Sequence, residues 1–78
     1  MSRYTTTENF AFDSNREYRT FTANGTIQVS TWDGAAYVLT ETKETGSYRM
    51  YTQGARLQFV ITAGTSYTID ENGATKGT

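Results

Sequence analysis

Turn signals recur along this chain at intervals too short for helices and well matched to strands. Asn24-Gly25, Asp33-Gly34, Thr45-Gly46, Gln53-Gly54, Ala63-Gly64 and Asn72-Gly73 punctuate the stretch from Glu17 onward, at spacings of about 8 to 12 residues that mark short antiparallel strands. The residues between them suit a pleated surface. Thr occurs 16 times, Leu only at Leu39 and Leu57, and aromatic residues make up 14% of the chain. β-Branched and aromatic side chains pack well on a sheet and lose rotamer freedom in a helix. The expected fold is all-β: a small antiparallel meander of about six short strands, closed into a β-barrel or stacked as a sandwich, with an extended N-terminal arm.

Strand register can be read by asking which loop length sets apolar residues opposite one another, because a slip of one residue turns a whole strand over. A two-residue Asp33-Gly34 turn sets Trp32 against Ala35, Val29 against Val38 and Ile27 against Thr40. A three-residue loop over 23–25 pairs Phe21 with Ile27. Gln53-Gly54 pairs Met50 with Leu57 and Tyr48 with Phe59, and a loop over 63–65 pairs Ile61 with Tyr67 and Phe59 with Ile69. The connection over 43–46 allows either Leu39 or Val38 opposite Met50. One face then collects Phe21, Ile27, Val29, Val38, Tyr48, Met50, Leu57, Phe59, Ile61, Tyr67 and Ile69 as a core. The other carries Trp32, Tyr37, Leu39, Tyr51 and Val60 among Gln28, Ser30, Arg49, Arg56 and Gln58. Isolated exposed apolar residues are ordinary, but aromatics interleaved with Arg also match the composition of protein interfaces.

Three regions follow. Residues 1–12 read as an extended arm in which Phe10 and Phe12 alternate with smaller or polar neighbours, 13–73 as the antiparallel β-domain, and 74–78 as a polar flexible tail, since little follows Asn72-Gly73 to pair with. On this division, deletion of residues 1–12 should leave the β-domain folded. A chain of 78 residues buries only roughly 60% of the surface its unfolded form exposes. There is no Cys for a disulfide and no His, the commonest metal ligand, so self-association is the support left to it.

The same absences exclude Ser-His and Cys-His nucleophile pairs. The acids Glu8, Asp13, Glu17, Asp33, Glu41, Glu44, Asp70 and Glu71 fall mostly at turns, where solvation and local hydrogen bonds account for them. No spacing matches a calcium loop, and Gly-Ala-Ala and Gly-Ala-Arg open strands where a phosphate loop would open a helix. Asn24-Gly25-Thr26 matches a glycosylation sequon but reads better as a hairpin turn. No catalytic residue, metal or cofactor is expected, and the chain is expected not to be an enzyme. With 7 Lys/Arg against 8 Asp/Glu, phosphate-backbone affinity is weak and nucleic acid is disfavoured, although a small β-barrel with Tyr and Phe beside Arg could stack bases. Carbohydrate stacking on Trp32, Tyr37 and Tyr51 is the stronger alternative. No apolar run approaches a signal peptide or a membrane span, so a soluble protein is expected.

The stretches "GTIQVSTWDGAAYVLTET" and "YTQGARLQFVITAGTSYTIDENG" resemble a family of short proteins encoded among the structural genes of tailed bacteriophages. The resemblance spans residues 21–73 and rests on a W-D-G-x-A-Y/W-V hairpin, a Q-G-x-R-L-x-F strand and a T-x-Y-x-I-D-E segment. It implies a virion component made in the host cytoplasm, either a capsid decoration or cement protein or a fibre base. Such proteins are commonly homotrimers that dock on the major capsid or another virion protein. Carried onto this chain, Arg3, Tyr4, Phe10 and Phe12 would lie in a docking arm, and Trp32, Tyr37, Leu39 and Tyr51 would form subunit contacts.

Overall fold

A computed structural model describes residues 2–77. It contains nine strands: β1 (Arg3–Tyr4), β2 (Glu8–Phe12), β3 (Tyr18–Asn24), β4 (Ile27–Trp32), β5 (Tyr37–Lys43), β6 (Gly46–Tyr51), β7 (Arg56–Val60), β8 (Ser66–Ile69) and β9 (Ala74–Lys76). They form a four-stranded sheet in the order β1-β8-β3-β6 and a five-stranded sheet in the order β5-β4-β7-β2-β9. All pairings are antiparallel. The two sheets are not closed into a barrel, so the fold is an all-β sandwich.

Strand faces follow the expected alternation. Along β3, Arg19, Phe21 and Ala23 are buried while Tyr18, Thr20 and Asn24 are exposed. Along β7, Leu57 and Phe59 are buried between less buried neighbours. Phe59 is the hub of the core, with ring centroids 5.0 Å from Tyr67, 5.2 Å from Phe21 and 5.8 Å from Phe10. Such offset and edge contacts add to the burial of apolar area. Ile27, Val29, Met50, Leu57 and Ile69 complete the interior, with Tyr48 and Ile61 packed against it. Val38 departs from the expected core face. Opposite Thr31 on edge strand β5, it is 48% exposed, because an edge strand lacks the cover a central strand receives.

Strand partners differ from the expected hairpins. Among the described residues, β4 and β5 are the one consecutive pair that hydrogen-bond to each other; every other connection passes between the sheets. Phe21 therefore pairs with Tyr48 and Ile69 instead of Ile27, and Phe59 with Val29 and Glu8 instead of Tyr48 or Ile69. The β4–β5 hairpin also has its own register. It sets Trp32 opposite Tyr37 and Thr31 opposite Val38, with a shift at Val29/Ser30. Its turn is longer than two residues because the Asp33 Oδ1 accepts the backbone N–H groups of Ala35 at 2.8 Å and Ala36 at 2.9 Å. That local capping favours a wider turn, and it lets two aromatic rings meet across the strands.

Both ends of the chain are built into the sheets. Residues 3–4 and 8–12, read from sequence as an arm, form β1 in one sheet and β2 in the other. Phe10 and Phe12 are 1% and 5% exposed, and β2 lies between β7 and β9 in the interior of its sheet. Residues 74–76, read as tail, form edge strand β9, with Ala74 opposite Phe12 and Lys76 opposite Phe10. The partner that Asn72-Gly73 lacks nearby is supplied from the other end of the chain. Met1 and Thr78, within the expected arm and tail, lie outside the described residues.

Candidate interaction surface

Because β4 and β7 turn Val29 and Phe59 inward as a pair, the alternation sets their neighbours on the other face: Gln28 opposite Val60, and Ser30, itself buried, opposite Gln58. The β4–β5 register continues this outer face with Leu39 beside Ser30 and Tyr37 beside Trp32. The Trp32 and Tyr37 rings meet edge to face at 5.2 Å, and the Arg56 guanidinium lies 4.7 Å from the Trp32 ring centroid. Tyr37, Trp32 and Arg56 thus make a rib across three adjacent strands, with Leu39 standing 53% exposed beside it. Cation–π contact and edge-to-face packing hold these side chains against one another within the chain.

Of the four residues expected at a subunit contact, the sheets bring Trp32, Tyr37 and Leu39 together and set Tyr51 apart. Tyr51 lies on β6, opposite Tyr18 of β3, on the outer face of the four-stranded sheet. There the Tyr18 and Tyr51 rings meet edge to face at 5.6 Å, with the Arg49 guanidinium 4.9 Å from the Tyr18 ring. Each outer face therefore carries a pair of rings and an arginine. Tyr18 was not singled out from the sequence. Its alternation with Phe21 through inward-facing Arg19 is the signal that would have found it, but an arginine at an interior position conceals the pattern.

The residues expected to dock an arm are engaged within the chain. Phe10 and Phe12 stack at 5.7 Å in the core, and Tyr4 lies 5.4 Å from Phe10 and 5.5 Å from Tyr67. Arg3 donates from Nε to Ser66 Oγ at 3.2 Å.

Among the described residues no three carboxylates gather in a way that could hold a metal ion, and no helix is long and apolar enough to cross a membrane. Asp33 is held below the ordinary carboxylate range by the Ala36 and Ala35 amides, which assigns it to the turn. An open cleft of about 590 Å³ lies between Arg3 and residues 5–7 on one side and residues 61–66 on the other, with Thr5, Thr6, Thr7, Thr62 and Thr65 in its lining. No protein-family model, curated protein or solved structure matches the chain.

Proposed function

We propose that this protein is a non-enzymatic structural module that assembles with copies of itself through the outer face of its five-stranded sheet, as a component of a tailed-phage particle. The observation that carries the reading is the Tyr37–Trp32–Arg56 rib with Leu39 exposed at its side. Prearranged aromatic and guanidinium groups lose little freedom on docking, which is why Tyr, Trp and Arg dominate binding energy at interfaces. A small contact of this kind suffices when symmetry repeats it at high local density. A homotrimer docked on a shell protein is the arrangement favoured by the likeness in residues 21–73.

A sugar-binding role for the same rings is less well supported. Arg56 lies over the Trp32 ring, so a stacking sugar would have to displace a cation that already occupies that aromatic surface.

Sedimentation of the native protein tests the proposal. The wild type should run as a discrete oligomer, trimer expected, and Tyr37→Arg combined with Leu39→Arg should abolish that oligomer at low protein concentration while leaving the chain folded. A wild-type chain that remains monomeric at high concentration would remove the basis for self-assembly through this face.

A further inference from the structure

Strand β1 is joined to its sheet by very little backbone. It contains only Arg3 and Tyr4, opposite Thr68 and Tyr67 of β8. The remaining attachment is through side chains: the Tyr4 ring packs on Phe10 and Tyr67, the Tyr4 hydroxyl donates to the Glu71 carboxylate, the Ser2 N–H donates to Glu71 Oε1 at 3.2 Å, and Arg3 reaches Ser66. Each of these joins the terminal strip to the body of the sandwich and none lies within the strip. The body would make identical contacts with the same strip from another molecule.

The connection to β2 favours that exchange. Thr5, Thr6 and Thr7 are exposed and form no strand, yet must carry the chain from one sheet to the other beside the open cleft. Three consecutive β-branched residues prefer extended backbone, so straightening this link would produce one continuous extended segment from Arg3 to Phe12. The docked position is also imperfect. Tyr67, whose ring stacks with Tyr4, carries the one buried side-chain oxygen or nitrogen without a hydrogen-bond partner among the described residues. Lifting Tyr4 away uncovers one side of that ring, which eases release of the strip without favouring either docked form, since Tyr4 of a second copy restores the same stack.

We infer that β1 is an exchangeable strand, which leaves its own β8 edge and pairs with β8 of a second copy of this chain. Exchange of an identical element replaces every lost contact with an equivalent one, so chain concentration decides the balance. It joins molecules at the edge of the four-stranded sheet, independently of the outer-face contact proposed above.

Because the chain has no Cys, cross-linking can test the inference directly. Arg3 and Thr68 are cross-strand partners away from the core, so Arg3→Cys with Thr68→Cys should oxidise to an intrachain disulfide when dilute. At rising protein concentration it should give increasing disulfide-linked dimer and higher species. An equimolar mixture of the two single variants should yield the mixed heterodimer well beyond the roughly twofold excess over either homodimer that random pairing gives, measured by intact mass without reductant. The excess should persist in a Leu39→Arg background. Intrachain bridging alone at all concentrations, failure of the dilute double variant to bridge, or loss of the heterodimer with Leu39→Arg would each overturn the inference.

Discussion

Arg19 closes the sandwich at one end by holding the backbone carbonyl of Asn72, to which its Nη2 and Nε groups donate at 2.9 and 3.3 Å. The same guanidinium donates to Thr52 Oγ1 at 2.8 Å and Asp13 Oδ1 at 3.0 Å, and lies 4.8 Å from the Phe12 ring centroid. One inward-facing side chain of β3 thus joins the turn after β2, the turn after β6 and the turn before β9. Its planar fork serves several acceptors at once, which a lysine ammonium cannot reproduce. Arg19→Ala should cost about 3 kcal/mol, through the buried Thr52 hydroxyl left without its donor and the packing lost against Phe12. Arg19→Lys should recover only a minor part, as read from urea unfolding midpoints.

Gly73 and Gly54 both have positive φ, +78° and +63°, but their surroundings differ. A Cβ at Gly54 meets open space, whereas one at Gly73 would collide with the Asp13 carboxylate. Gly54→Ala should cost about 1 kcal/mol, the penalty of a left-handed backbone alone. Gly73→Ala should cost clearly more, and should also weaken the Asp13–Arg19 contact. Equal losses from the two substitutions in thermal unfolding would contradict this account.

Stability should fall on the acid side. Four carboxyls are held below their ordinary range: Asp13 by the Asn15 amide and then Arg19, Asp33 by the Ala36 and Ala35 amides, Asp70 by the Asn72 amide and then the Arg16 cation, and Glu71 by the Tyr4 hydroxyl and then Ser2. With folded values depressed, the unfolded chain takes up protons first on acidification. The stabilisation is therefore complete above the unfolded carboxyl range, about pH 4, and is lost as pH drops through the folded values. No step is expected between about pH 5 and 8, where histidine would titrate, since the chain has none. Melting temperatures recorded from neutral pH downward should show this shape, with a shallower acid slope in Asp70→Asn.

The N-terminal segment should prove indispensable to folding. Phe10 and Phe12 are core residues and β2 separates β7 from β9, so removing residues 1–12 opens the five-stranded sheet through its interior. That deletion should abolish the folded state. Phe10→Ala should cost about 3 to 5 kcal/mol, a large share of the total stability of so small a domain. Sharp, cooperative unfolding of the truncated chain near the wild-type temperature would contradict the assignment.

Inward and outward positions were legible in the sequence because side-chain alternation is a local property of extended backbone. Phe21, Ile27, Val29, Met50, Leu57, Phe59, Tyr67 and Ile69 lie in the core, and Trp32, Tyr37 and Leu39 share an outer face, even though most of the expected strand pairings do not occur. The turn glycines mark where the chain reverses but not which sheet it enters next. A glycine corner serves a hairpin within one sheet or an arch between two, and the alternating pattern is the same in both. The choice is made by contacts distant in sequence. Residues 74–76 have no partner until β2 arrives, Phe10 has no core until Phe59 and Tyr67 close over it, and Arg19 at an interior position is tolerated because Asp13, Thr52 and Asn72 converge on it from three separate turns. The all-β class and the strand faces were thus set by local chemistry. Strand order and the roles of the two chain ends were decided by tertiary structure, because backbone pairing and burial reward contacts that no short stretch of this chain contains.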